Sequence, residues 1–288
     1  MFISDGWKEY RLIDAEGGER LEYWNGYLLI RPDPQIIWSG EKKSPLWKKA
    51  DGIYRREGGG GSWIKRDIPE QWNIGYKGMT FELSPMGFKH TGLFPEQAAN
   101  WDWFMPLIEN AGRPIRLLNL FAYTGAASIA AAKAGAHVCH VDASRGMVQR
   151  AKKNAELSGI RPDSIRYIVD DCEKFVAREI RRGSLYDAVI LDPPSYGRGP
   201  GGEKWLLEQS LDRLIGLISG VLTEKPLLVL LNSYTTGLSA STCGYILGRH
   251  LCGKYGGSVS SDEIGIPVES SGMPLPCGAA SRWTERNK

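Results

Sequence analysis

The chain lacks any long apolar run. None approaches the roughly 18 consecutive residues that carry a helix across a bilayer, so no membrane association is expected. Its first eleven residues include Asp5, Lys8 and Glu9 and hold no apolar core, so no secretory leader is expected either. Cysteine is scarce. Cys139, Cys172, Cys243, Cys252 and Cys277 are scattered and form no CxxC pair. That spacing argues against a disulfide framework and a zinc site, leaves no metal expected, and favours a reducing cytoplasm. A large excess of one charge is missing too. The net charge of +3 permits a nucleic-acid partner without demanding one. The turn at Tyr123-Thr124-Gly125-Ala126-Ala127 is not GxGxxG, which argues against a nicotinamide or flavin site there, and there is no internal repeat or heptad pattern. Nothing specifies an oligomeric state.

What is present is an ordinary globular composition, 42% apolar and 24% charged over 288 residues, enough for one large domain and a small one. Residues 1–80 are rich in Trp, Tyr, Gly and Pro, with short apolar runs such as Tyr27-Leu28-Leu29-Ile30 broken by turn signals. They predict a small β-rich domain, a candidate for substrate recognition. Gly58-Gly59-Gly60-Gly61-Ser62 reads as a hairpin tip or mobile loop. From about residue 100 the pattern alternates. Strands are expected over 115–120, 137–141, 165–169, 188–191 and 226–231. Helices are expected over 97–108, 126–134, 147–158, 172–182 and 203–222. This is an α/β pattern, a parallel sheet with helices on both faces, and its ligands bind outside the carboxyl ends of the strands. Residues 255–288 read as short strands around a Gly/Pro-rich loop over 265–278, able to supply a closing antiparallel hairpin. The domains expected are 1–80 and 81–288.

Two motifs carry the chemistry. The apolar strand ending at Asn119-Leu120 runs through Phe121-Ala122-Tyr123-Thr124-Gly125 into the helix at Ala126. The strand ending at Leu191 runs into Asp192-Pro193-Pro194-Ser195-Tyr196. Together they resemble motifs I and IV of class I S-adenosylmethionine-dependent methyltransferases. Gly125 has no Cβ, so backbone can approach the methionine end of that cofactor, and the following helix N-terminus offers N–H groups to its carboxylate. A tight strand-to-helix turn with no ligand is the plain alternative. Asp142, followed by Ala143 and Ser144, ends the next strand, where a carboxylate can accept both ribose hydroxyls. It could instead cap a helix, but Ser144 can serve as that cap. Asp170-Asp171-Cys172 ends the third strand. One aspartate can read the adenine amino group and the other can cap the helix; Asp171 is favoured for the adenine.

These segments, with Lys89-His90-Thr91-Gly92 upstream, resemble the bacterial family that includes the 23S rRNA large-subunit cytosine-C5 and guanine-N7 methyltransferases. The resemblance covers about residues 85–250, and Ser281-Arg282-Trp283 is similar to a branch of the family. It implies a Rossmann-like class I methyltransferase sheet and S-adenosylmethionine as cofactor. It implies cofactor contacts from Thr91, Gly92 and Gln97, from the turn Asn119, Phe121, Tyr123, Thr124, Gly125 and Ala126, from Asp142, Ala143 and Ser144, and from Asp171, Cys172 and Asp192. An RNA base, on ribosomal RNA, is the implied substrate. The chain departs from the family in two places. Residues 1–80 do not read as the PUA-type RNA-binding domain of the cytosine-C5 members. The Ser-Cys-Ser type turn that carries their cysteine nucleophile is here Asn232-Ser233-Tyr234-Thr235, without cysteine, and Cys243 falls in the next helix. A C5 attack needs that nucleophile, so a nitrogen acceptor is favoured.

For that reaction Asp192, Pro193, Pro194 and Tyr196 are the candidate catalytic residues. The carboxylate and a prolyl-turn carbonyl accept from an amino group while the aromatic stacks on a base. A strand terminator is the bland reading of Pro-Pro. The loop Tyr196-Gly197-Arg198-Gly199-Pro200-Gly201-Gly202 is a lid or a solvated loop, and Arg198 could meet a phosphate. Lys42, Lys43, Lys48, Lys49, Arg55 and Arg56, interleaved with Trp38, Trp47 and Tyr54, form an RNA face or a solvated surface over core aromatics. A small molecule or a protein is the alternative substrate. A non-catalytic binding module is disfavoured by the intact Asp192-Pro193-Pro194.

Overall fold

The computed structural model describes residues 1–57, 60–198 and 204–285. Among them no helix is long and apolar enough to cross a membrane, and no group of three or more His, Cys, Asp or Glu is placed to hold a metal ion. By its contacts the chain divides into two units, Met1–Ala99 with Ile264–Cys277, and Asn100–Glu263 with Gly278–Lys288. The division falls later than residue 80 and adds a piece from near the C-terminus. Strand pairing across long sequence separations produces that piece, and local composition does not record it.

The first unit is β-rich. Its strands are β1 (Phe2–Ile3), β2 (Tyr10–Glu16), β3 (Glu19–Trp24), β4 (Tyr27–Pro32), β5 (Gly52–Glu57), β6 (Gly60–Arg66), β7 (Trp72–Tyr76) and β8 (Met79–Leu83). Strands β2 to β6 form one sheet in sequence order, and β7–β8 is a separate hairpin. Asn25 and Gly26, both at positive φ, join β3 to β4 in the two-residue turn whose twist matches paired strands. Ile13, Leu21, Ile30, Trp47 and Ala50 make a core here. Of the loop expected at Gly58–Ser62, Gly58 and Gly59 lie outside the described residues, while Gly60, Gly61 and Ser62 belong to β6.

A buried ion pair sits inside this sheet. Glu22 is wholly inaccessible. It accepts from Arg31 Nε at 2.6 Å and from a second Arg31 nitrogen at 2.7 Å, and the Tyr10 hydroxyl donates to it at 2.9 Å. Burial opposes the charge on Glu22, but Arg31 prevails and holds its carboxyl below the usual range. Glu22→Gln keeps the shape and removes one charge, leaving Arg31 buried with weaker partners. It should cost about 2–3 kcal/mol, the worth of charged hydrogen bonds, read by chemical denaturation. An unchanged midpoint would contradict this.

The second unit is α/β. Its strands are β9 (Arg116–Leu120), β10 (His137–Asp142), β11 (Ile165–Val169), β12 (Ala188–Leu191), β13 (Tyr196–Arg198), β14 (Lys204–Leu206), β15 (Leu228–Ser233) and parts of β16 (Ser258–Pro267) and β17 (Pro274–Thr284), whose residues 264–267 and 274–277 belong to the first unit. Its helices are α1 (Ala98–Glu109), α2 (Ala126–Lys133), α3 (Arg145–Leu157), α4 (Cys172–Arg182), α5 (Leu207–Ser219) and α6 (Ala240–Tyr255). The main sheet runs β16-β17-β15-β12-β9-β10-β11. The five strands from β15 to β11 are mutually parallel, and β17 is antiparallel to β15. In the first unit, residues 264–265 of β16 pair with β1.

Local chemistry explains these elements. Every residue of β12 and β15 is buried, as expected of central parallel strands covered on both faces. Helix α4 buries Cys172, Phe175, Val176 and Glu179, an i, i+3, i+4, i+7 stripe. Gly183 in the left-handed region ends it, and Arg181 and Arg182 sit where the helix dipole favours cations. The chain winds outward from β9 through β10 to β11, then resumes on the other side of β9 with β12 and β15. That reversal opens a crevice at the carboxyl ends of the strands.

Three expected elements differ. The helix expected over 203–222 begins only at Leu207, because 204–206 pair with β13 as strand β14. The Gly/Pro-rich stretch expected as a loop over 265–278 is mostly strand, since β16 runs to Pro267 and β17 starts at Pro274. Pairing within the sheet overrides composition there. The strand expected over 226–231 lies two residues later, as β15. Within the expected lid, residues 196–198 form β13, whereas Gly199, Pro200, Gly201, Gly202 and the Arg198 side chain lie outside the described residues.

Candidate active site

The turn after β9 is strained. Phe121 and Tyr123 hold φ of 54° and 49°, a left-handed conformation uncommon for residues with a Cβ. Neighbouring strand ends hold them there. The Phe121 N–H donates to the Cys172 sulfur at 3.2 Å, and the Tyr123 N–H donates to Asp142 Oδ2 at 2.8 Å. Ala122 N–H meets the Val141 carbonyl at 3.1 Å. Gly125 follows with φ 87° and starts α2, which no side chain caps. A Cβ on Gly125 would lie 2.7 Å from the Ala151 Cβ. Beneath the turn, Asn119 Nδ2 donates to Ser128 Oγ at 2.8 Å, and Ser128 Oγ meets His140 Nδ1 at 3.0 Å. His140 is wholly buried and its Nε2 has no hydrogen-bond partner among the described residues. Burial depresses its pKa to about 3.

Asp142 ends β10. Its second oxygen accepts the Ser144 N–H at 2.8 Å, so each carboxylate oxygen already holds one backbone donor and has lone-pair capacity to spare. Burial pushes its carboxyl upward against those two bonds. Ser144 is the N-cap of α3, accepting from Met147 N–H at 3.4 Å. After β11 the two aspartates divide their work. Asp171 caps α4 through the Lys174 N–H at 2.9 Å, and Asp170 is paired with Arg178. The residue favoured for adenine is therefore the helix cap, although both aspartates line the same cleft. The Cys172 thiol is buried and its pKa is raised by that burial.

This cleft, about 450 Å³, lies at the carboxyl ends of the strands. Phe121, Ala143, Val169, Asp170, Asp171, Cys172, Pro194 and Trp205 line it. After β12 the Asp192 N–H donates to the Leu120 carbonyl at 3.4 Å, setting the second motif against the first. Pro193 is buried, Pro194 is exposed and Tyr196 is half-exposed. Trp205 was absent from the sequence reading. Its indole N–H donates to the Pro194 carbonyl at 2.7 Å, and its ring lies 5.7 Å from that of Phe121. The helical pattern expected from residue 203 concealed it; the nearest signal was a tryptophan just beyond the glycine-rich loop.

Thr91, Gly92 and Gln97 belong to the first unit. Thr91 and Gln97 are buried, Gly92 is at φ 98°, and the Thr91 hydroxyl has no partner among the described residues. His90 packs edge-on to Phe94, and burial lowers its pKa to about 4. The expected RNA face is reduced. Trp47 and Tyr54 are core residues, and Lys42 and Arg55 are both paired with Glu19. Lys43, Lys48, Lys49 and Arg56 are exposed.

A strained turn, an uncapped helix start, an acidic residue closing the second strand and a cleft beside Asp-Pro-Pro define a nucleotide-cofactor site of the methyltransferase class. Residues 47–238 match the S-adenosylmethionine-dependent methyltransferase family, and the chain belongs to it. A S-adenosylmethionine-dependent methyltransferase from Agrobacterium tumefaciens, known by crystal structure, is 36% identical, with a TM-score of 0.92 over 99% of this chain and 93% of that one. The ribosomal RNA large subunit methyltransferase K/L of Magnetococcus marinus is 30% identical over 52% of this chain and 20% of its own length. The ribosomal RNA large subunit methyltransferase I of Photobacterium profundum is 26% identical over 67% of this chain and 52% of its own. The chain thus spans between a fifth and about half the length of these two relatives.

Proposed function

We propose that the chain methylates a base of RNA, that the RNA is ribosomal, and that the acceptor is a nitrogen. The observation that carries the nitrogen reading lies beyond β15. Asn232-Ser233-Tyr234-Thr235 holds no thiol. Cys243 is buried in α6, and burial pushes its thiol up to about 11. Attack on a cytosine ring needs an accessible thiolate, and a nitrogen acceptor needs none. The activities of the two ribosomal RNA relatives support the substrate class. The five cysteines are all free, which suits a reducing cytoplasm.

S-adenosylmethionine supplies a methyl group on a sulfonium. The residues present fit it: backbone can come close at Gly125, the uncapped start of α2 offers N–H groups to a carboxylate, and Asp142 can accept ribose hydroxyls. Phe121, Ala143, Cys172 and one aspartate would border the adenine. For Thr91, Gly92 and Gln97, cofactor contact rests on the family resemblance alone. The protein's task is positioning and charge stabilisation. Trp205 donates to the Pro194 carbonyl, which keeps a second lone pair, so the Asp192 carboxylate and a prolyl-turn carbonyl are the acceptors for an amino group. Tyr196, half-exposed, can stack on a base.

The pairing of Lys42 and Arg55 with Glu19 favours a second reading, a small-molecule or protein substrate. Transfer of tritiated methyl to RNA and protein fractions from cells lacking the protein separates the two. Ribonuclease-sensitive label that falls at least a hundredfold in Asp192→Ala, a loss on the order of one transition-state contact, is the expected result. Label in protein or small molecules alone would refute the RNA reading.

A further inference from the structure

Trp205 and Pro194 both line the cofactor cleft, and the Trp205 side chain is hydrogen-bonded to the Asp192-Pro193-Pro194 turn. Its ring is part of the cleft wall, tilted 43° against Phe121. Its N–H holds the Pro194 carbonyl at 2.7 Å. Neighbouring backbone grips the turn as well: Tyr196 pairs with Leu206 of β14, and the Leu207 N–H, at the start of α5, donates to the Ser195 carbonyl at 3.1 Å. The two aromatic walls differ in their support. Phe121 is fixed by the Cys172 sulfur and the sheet behind it, whereas Trp205 stands on a short two-stranded hairpin outside the main sheet. An indole is a rigid plate with its one donor at the edge. A ring laid on its face therefore acts on the carbonyl at its edge.

We propose that Trp205 is a positioning residue that couples cofactor occupancy to the target turn. With the adenosine part of the cofactor in the cleft, the indole is held and the Pro194 carbonyl with it. The turn that receives the target amine is then held more firmly when the methyl donor is present than by its backbone pairing alone. Coupling of this kind is reciprocal, so an ordered turn tightens the cofactor by the same factor. The inference rests on placing S-adenosylmethionine in this cleft.

S-adenosylhomocysteine is the probe, with its affinity read by calorimetry and the turn read by amide hydrogen exchange at Ser195, Tyr196 and Gly197. In the unmodified protein it should bind and slow exchange at these amides. Trp205→Phe keeps a ring and loses the donor. It should bind with an affinity within about threefold of the parent, a change of well under 1 kcal/mol, yet show no ligand-induced slowing at the three amides. Trp205→Ala should weaken binding on the order of tenfold, as loss of one stacked ring does. Equal slowing in the parent and in Trp205→Phe would overturn the coupling while leaving the cofactor placement intact. No binding of S-adenosylhomocysteine by the unmodified protein would overturn the placement itself. Trp205→Phe decides the matter should Trp205→Ala not fold.

Discussion

Gly125→Val should abolish S-adenosylhomocysteine binding and destabilise the α/β unit by about 3–6 kcal/mol. Two costs add. At φ 87° a β-branched residue is a conformational outlier. The new Cβ would also fall 2.7 Å from the Ala151 Cβ and 3.2 Å from its Cα. The second neighbour is backbone of α3, which cannot rotate aside. Relief requires α2 and α3 to separate, and α2 is the helix whose N–H groups would face the cofactor carboxylate. Chemical denaturation measures the stability loss and calorimetry the binding loss. A variant that unfolds at the parent midpoint and binds normally would show that this turn is not the cofactor cradle.

His140 should make the same unit acid-labile. Its ring is buried and its pKa depressed from 6.5 to about 3. A base with a lowered folded-state pKa stays neutral in the native protein while the unfolded chain takes up a proton. Stability is therefore complete above about pH 6.5, falls as the pH drops below it, and bottoms out below about pH 3. The slope is about 1.4 kcal/mol per pH unit, so about 2 kcal/mol is lost by pH 5 and at most about 5 kcal/mol over the whole interval. His140→Asn retains a polar atom able to meet Ser128 Oγ and removes the titration. Denaturation at pH 7, 6 and 5 should show a shallower acid loss in the variant than in the parent. Parallel pH profiles would mean that other groups set the acid limb.

Much of the fold was legible because its signals are local. Strands β11 and β12 fall where apolar runs stand between turn residues, and α4 was bounded correctly at both ends by an aspartate cap and a glycine stop. The C-terminal strands were legible as a closing hairpin, but its loop is shorter than the expected 265–278, because glycine and proline report on the chain alone, whereas β15 and β1 supply pairing from far away. The same limit applies at the candidate site. A glycine opening a helix after an apolar strand is a local signal, and Gly125 stands out in the sequence for that reason. The hold of Asp142 on Tyr123, of Cys172 on Phe121 and of Trp205 on Pro194 joins separate strand ends. No spacing rule announces such pairs. In the first unit Trp47 and Tyr54 are core while Trp38 is exposed, a division that composition does not reveal, because it does not distinguish a tryptophan in a core from one on a surface.

The two bonds of Asp142 limit how this protein can change. A carboxylate used only to read a ribose could be exchanged to suit another nucleotide. In the proposed site the same two oxygens would read the ribose while they secure Tyr123 and Ser144. Any residue installed to alter sugar recognition must also keep a strained backbone in place, and an alanine there removes both functions at once. On the proposed role of Asp142, donor preference and loop architecture are thus inherited together. Engineering this enzyme toward a modified methyl donor would have to begin elsewhere in the cleft, on side chains such as Val169 that border it without bracing it.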